Sequence, residues 1–213
     1  MIILQGVEPM AHGLFRACYP HPEQEDKCVK IALRDHPMPK RAKLVDLKEP
    51  TDPNLRELFA YKKLKARGVP VETRFPAVHD LVETDLGQGL VVDRIDAALP
   101  EGALTLRDYV EKGVRGELTP DMLMAELRSF ADFCVRHSVF ASCDEWHNLY
   151  FVRVGEAYRC MAFDLKLRLN REFIPFSTLF PFALKRKIRR RFNRMISEVE
   201  GLLSMPAAAQ AAA

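Results

Sequence analysis

Apolar residues change their spacing along this chain, and the change predicts its organisation. Residues 1–13 read as a short strand and a turn. Leu14–Tyr19 and Cys28–Leu33 follow as β-branched and aromatic runs. The loop between them holds Pro20, Pro22 and a charged stretch, so a hairpin is the expected connection. Residues 34–53 are polar and proline-rich without a clean period and predict a mobile loop. Asn54 with Glu57 three residues on predicts a capped helix start, and Leu55, Leu58, Phe59, Tyr61 and Leu64 keep helical spacing up to Gly68. Phe75–Val82 and Gly89–Ile95 are strand-like around a turn at Asp85–Gly87.

Beyond that point the helical period takes over. Leu104–Lys112 predicts a short helix. Thr119 as cap and Pro120 at the first helical position open the longest amphipathic helix, whose apolar face is Leu123, Leu127, Phe130, Ala131 and Cys134. Val139–Ala141 is a short strand, and Leu149–Val154 pairs with Tyr158–Phe163 across Gly155. A last helix covers 181–203, and the alanine-rich end after Pro206 predicts a frayed tail. The expected class is α+β, with a β-rich N-lobe over 1–96, a helical C-lobe with a small hairpin over 97–205, and a disordered 206–213.

Composition excludes several classes. At 213 residues, 48% hydrophobic and 29% charged, the chain reads as a globular protein with a sizeable core, not a disordered or collagen-like one. Five cysteines, an odd number without a CxxC pair, predict reduced thiols. The N-terminal run lacks a basic region ahead of it, so no secretory signal is expected. Phe173–Leu184, the most apolar stretch, is interrupted by two prolines and too short to span a bilayer.

The net charge of +3 hides an asymmetry. Lys185, Arg186, Lys187, Arg189, Arg190, Arg191 and Arg194 form a cationic cluster that no acid interrupts, and taking away these seven charges leaves −4 for the rest. A slightly acidic body with one basic cluster points to a localised anionic partner and away from general nucleic-acid binding. Phe180, Phe182, Leu184, Ile188, Phe192, Met195 and Ile196 interleave with the cations, which suits either an anionic membrane surface or envelope lipid, or a solvated helix face packed on its lobe.

Four residues carry candidate chemistry in chain order. Lys30 sits inside an apolar strand after a turn containing Gly13. Glu57 lies early on the next helix. Asn148 precedes a strand, and Asp164 follows sixteen residues later at the end of the next one. A nucleotide kinase needs these types: a lysine on the α/β-phosphates, a carboxylate that orients it, and an Asn and an Asp that hold Mg²⁺ against ATP. Singly, each has a plainer reading, as a snorkelling lysine, a capping glutamate, a turn residue and a strand-end acid. Their order and context make the kinase-like reading.

With those residues in view, the sequence resembles the YrbL proteins of the PhoP regulatory network, within the protein-kinase-like superfamily. The matching stretches are Cys18-Tyr19-Pro20-His21-Pro22-Glu23, Cys28-Val29-Lys30-Ile31, Arg56-Glu57-Leu58, Val82-Glu83-Thr84-Asp85 with Gly87 and Gly89, Leu104-Thr105-Leu106 and Asn148-Leu149. The resemblance covers most of residues 10 to 195. It implies a compact, bacterial, cytosolic kinase-like protein linked to envelope or low-magnesium stress, and it supplies a fold more firmly than a reaction.

Departures from the kinase pattern shape the expected activity. Only Gly13 remains of a glycine-rich phosphate loop. The catalytic-base position, five residues before Asn148, is Cys143, with Asp144 one place later and Glu145 where a lysine usually stands. In one reading Asp144 serves as the base; in the other the site binds nucleotide and metal with little chemistry, as a pseudokinase. General-base help contributes about 10²–10⁴-fold, so its loss slows such an enzyme without abolishing turnover. Cys143 and His147 with Cys160 or His137 lack zinc-site spacing. No Phe-Gly follows Asp164 and no Ala-Pro-Glu string appears in the 49 residues after it, which favours a small molecule or a lipid sugar over an extended peptide as substrate.

Overall fold

The structure is a computed structural model that describes residues 1–33, 52–95, 104–113, 116–141, 146–167 and 180–204. The loop expected over 34–53, apart from its last two residues, and the tail expected after Pro206 lie outside the described residues, as does the segment 142–145. The fold is α+β and divides into two compact units, a β-rich one and a largely helical one.

The first unit is built on a five-stranded antiparallel sheet. Its strands are β1 (Ala11–His12), β2 (Arg16–Pro20), β3 (Lys27–Ala32), β4 (Val78–Thr84) and β5 (Gly87–Asp93), in the order β1-β2-β3-β5-β4. Strand alternation sorts β3 into two faces. Val29 and Ile31 point into a cluster with Leu4 and Val91, and Ile2, Tyr19 and Val82 pack around it. Gly89, paired with Ile31, belongs to this face. A Cβ there would come within 2.5 Å of Val29 Cγ1, so the β-branched layer closes only over a glycine. Lys30 takes the opposite face, directly between Cys18 of β2 and Leu90 of β5.

Helix α1 (Pro53–Ala66) covers that second face. Its start corrects the sequence expectation. Asp52, not Asn54, is the cap: its side chain accepts from the Asn54 and Leu55 amides, and Pro53 takes the first helical position, where a missing N–H costs nothing. Asn54 and Glu57, three apart on one helix face, are thereby released from capping and buried.

The second unit contains a three-stranded sheet of β6 (Leu104–Thr105), β7 (Leu149–Val154) and β8 (Ala157–Ala162), with helices α2 (Leu106–Val110), α3 (Pro120–His137) and α4 (Pro181–Leu203). Leu104 and Thr105, expected as helix, pair with Phe151 and Tyr150. Thr105 then caps α2 in a reciprocal box with Asp108. Helix α3 starts at Pro120 behind its Thr119 cap as expected, with the five residues of its expected face all buried, and α4 matches its expected span; at 23 residues α4, not the 18-residue α3, is the longer of the two amphipathic helices. Phe130 of α3 meets Phe192 of α4 edge-on at 5.7 Å. Val139–Ala141 is not a full strand; Phe140 alone forms an antiparallel bridge, with Lys166. None of the four described cysteines, Cys18, Cys28, Cys134 and Cys160, is in a disulfide, and all are buried.

Candidate functional site

The first group of candidate residues forms on the α1 side of the five-stranded sheet. Lys30 is 1% exposed and Glu57 3% exposed, so both charged side chains are withdrawn from water. Lys30 Nζ donates to Glu57 Oε1 at 2.8 Å and Oε2 at 3.0 Å. Asn54, one helical turn before Glu57, donates from Nδ2 to the Lys30 carbonyl at 2.8 Å. Helix α1 therefore grips β3 twice at one residue, through its backbone and through its ammonium.

Arg16 completes the group. Its Nη1 donates to Glu57 Oε2, so one carboxylate is shared by two cations, one from β2 and one from β3. Hydrogen bonds of this kind between charged groups are among the stronger ones in proteins. Arg16 escaped sequence reasoning. Strand alternation does put it on the face of Cys18, but only the β2–β3 register, Cys18 against Lys30, brings that face to the lysine.

The two thiols beside this trio differ in acidity. A hydrogen bond from Cys28 holds the Cys18 thiol below its ordinary value, with the Lys30 and Arg16 charges adding to the effect and burial opposing it. The same bond and burial push Cys28 up. Gly13, the expected phosphate-loop residue, lies in the β1–β2 turn and donates its N–H to the Arg16 carbonyl at 2.8 Å. A Cβ at position 13 would meet only that oxygen, at 3.5 Å, so nothing in the turn demands a glycine.

The second group belongs to the helical unit and flanks the open end of the β7–β8 hairpin. Asn148 closes a single 3₁₀ turn (Trp146–Asn148) and leads into β7, while Asp164 follows β8 by two residues. The Asn148 carbonyl accepts from the Phe163 amide at 3.2 Å, so hairpin pairing brings the two positions together across sixteen residues of sequence. Both offer oxygen donors, the ligand type hard Mg²⁺ takes in ones and twos beside substrate phosphates. Among the described residues no cluster of three or more His, Cys, Asp or Glu side chains could hold a metal alone.

Lys166, unremarked in the sequence, pairs with Asp164. The same residue exchanges backbone hydrogen bonds with Phe140, at 2.8 and 3.1 Å, fixing the chain that enters segment 142–145. The candidate base Asp144 and its neighbour Cys143 lie outside the described residues.

Comparison with known proteins adds a family to this geometry. The uncharacterized protein YrbL of Escherichia coli (strain K12) and that of Shigella flexneri are each 29% identical to the chain over 112 residues, 53% of this chain and 48% of theirs. The match thus spans about half the length of these curated relatives. Among solved structures, the chain is similar to one in the CAK complex from Chaetomium thermophilum bound to ATP-γ-S, at 15% identity over 74% of this chain and 45% of that one, with a TM-score of 0.41. It is also similar to WbdD in a co-crystal with a kinase inhibitor, at 16% identity over 95% of this chain and 47% of that one, with a TM-score of 0.38. Scores this low carry no argument about activity, and the architecture stands on the sheet order and helices described above. The model of the PhoP regulatory network protein YrbL family matches residues 2–200, nearly the whole chain, and the chain belongs to that family.

Proposed function

We propose that this chain is a kinase-like protein that binds ATP with Mg²⁺ and acts as a weak or atypical phosphotransferase on a small molecule or lipid sugar. The setting would be the bacterial cytoplasm, in a response to envelope or low-magnesium stress. The observation that carries the reading is the buried Lys30–Glu57 ion pair with Arg16 as a second cation. A lysine held by a helix carboxylate is the device by which protein kinases position the α/β-phosphates.

In this reading Lys30 and Arg16 hold phosphate oxygens, and Glu57 keeps Lys30 extended. Asn148 and Asp164 supply oxygen ligands for Mg²⁺, and Asp144 is the candidate acceptor of the substrate proton. Bound Mg²⁺–ATP would supply the transferable phosphoryl group and the cation that neutralises it. Gly13 contributes backbone at the β1–β2 turn.

A second reading, a catalytically silent pseudokinase serving as a regulatory module, draws support from the Asp164–Lys166 pair and from the Gly13 N–H being engaged within its own turn. Both readings predict that ATP with Mg²⁺ raises the thermal midpoint of the wild type. Ligand at about 100 times Kd stabilises by about 2.7 kcal/mol, worth several degrees. No shift in the wild type contradicts both. ATP turnover that falls in Asp164→Asn favours the enzyme, and a nucleotide shift without turnover favours the pseudokinase.

A further inference from the structure

Helix α4 presents two distinct faces. Ile188, Phe192, Met195, Ile196 and Val199 are buried. Lys185, Arg186, Arg189, Arg190 and Arg194 are exposed, and the run from Lys185 to Arg194 contains no acid. Phe182 is 68% exposed and Phe180 42% exposed, and their rings lean together with centroids 5.7 Å apart.

These residues share one side of the helix. From Phe182, steps of three, four, seven and eight residues reach Lys185, Arg186, Arg189 and Arg190, which helical geometry gathers within an arc of about 140° with Phe182 near its middle, and Arg194 widens the arc to about 180°. Five exposed cations suit water, but with two partly exposed aromatic rings beside them on the same side of the helix they match a planar anionic interface. There the rings enter the headgroup boundary while the cations meet lipid phosphates. The first turn of α4 contains no acid, so its positive helix end adds to the cations and is relieved by the same anionic surface.

We infer that the exposed face of α4, from Phe180 to Arg194, docks the protein peripherally on a bilayer rich in anionic phospholipid. No helix among the described residues is long and apolar enough to cross a membrane, so attachment through this face is interfacial. The inference goes beyond the nucleotide-binding reading and uses none of its residues, so either can fail alone.

The test is flotation of the full chain with vesicles of phosphatidylcholine alone or mixed with phosphatidylglycerol, at low and high salt. The wild type is expected to float with the mixed vesicles, and to be released by salt as screening shortens the reach of the cations. Each cation contributes about 1 kcal/mol near such a surface, about fivefold in partitioning, so Arg186→Gln/Arg189→Gln is expected to weaken partitioning about 25-fold. Phe182→Ser is expected to weaken binding several-fold and leave the salt dependence unchanged. All substituted side chains are exposed, and unchanged thermal unfolding confirms that each variant is folded. Equal flotation with neutral vesicles, no flotation of the wild type, or indifference to Arg186→Gln/Arg189→Gln overturns the inference. Salt-sensitive binding to single-stranded RNA without vesicle binding reassigns the face to nucleic acid.

Discussion

Lys30 contacts both carboxylate oxygens of Glu57, at 2.8 and 3.0 Å, and the pair is almost wholly withdrawn from water. Removing one member of such a pair strands the other. Glu57→Gln removes the carboxylate charge that Lys30 and Arg16 share and is expected to cost about 3–5 kcal/mol in urea unfolding. Lys30→Met costs less, because Arg16 still faces the carboxylate. Equal losses, or a loss below about 1 kcal/mol for Glu57→Gln, would show that the pair is solvated and mobile.

Arg16 is the residue by which this site departs from a simple lysine–glutamate pair. If its charge is held for an anion, Arg16→Ala weakens nucleotide triphosphate binding by about tenfold or more, the worth of a charge-assisted hydrogen bond. Adenosine, lacking phosphates, is expected to bind the variant as it binds the wild type. Competition binding with the two ligands separates these outcomes, and a parallel loss for adenosine would make Arg16 a structural residue only.

How much of this was written legibly in the sequence depended on the range of each interaction. Lys30 and Glu57 could be read because a lysine in a β-branched run and a glutamate early on a helix are local anomalies. The start of α1 lies two residues before the expected cap: Asn54 looks like a cap, yet Asp52-Pro53 is the stronger start, and the Asn54 side chain instead donates to the Lys30 carbonyl. Arg16 was hidden because strand register does not show in one strand alone. Strand β6 was hidden because two residues have no period, and they became a strand only by pairing with β7. Lys166 was hidden for the same non-local reason, its bridge to Phe140 spanning the whole hairpin.

The ion pair between Lys166 and Asp164 competes with any cation for the same carboxylate. Lys166→Met is therefore expected to tighten Mg²⁺ binding by up to about fivefold, the upper range for a partly exposed pair, as read by calorimetric titration. Weaker Mg²⁺ binding in this variant would mean that Lys166 supports the ligand geometry.

Asp85 ties the N-terminal segment to the β4–β5 turn. Its carboxylate accepts from the Leu4 amide at 2.7 Å and the Gln5 amide at 2.9 Å, and these bonds, that from Leu4 foremost, hold its pKa below the ordinary carboxylate value. A depressed folded value means the tie is intact above the unfolded pKa of about 3.9 and is lost as pH falls through the lower folded value. Leu4, buried against Val29, Ile31 and Val91, should lose amide protection over that acidic window after correction for intrinsic exchange. Asp85→Asn should show the same loss at neutral pH. Protection unchanged by either would leave the segment held by Leu4 burial and by the backbone bonds of Ile2 with Glu83 and Asp85.

Calorimetric titration of Mg²⁺–ATP into wild type and Arg16→Ala/Lys30→Met tests the proposed phosphate-binding role of these two cations most directly. The predicted result is saturable binding at one site in the wild type, lost in the folded double variant. Equal affinity in the two proteins, or no heat of binding in the wild type at millimolar nucleotide, would contradict it.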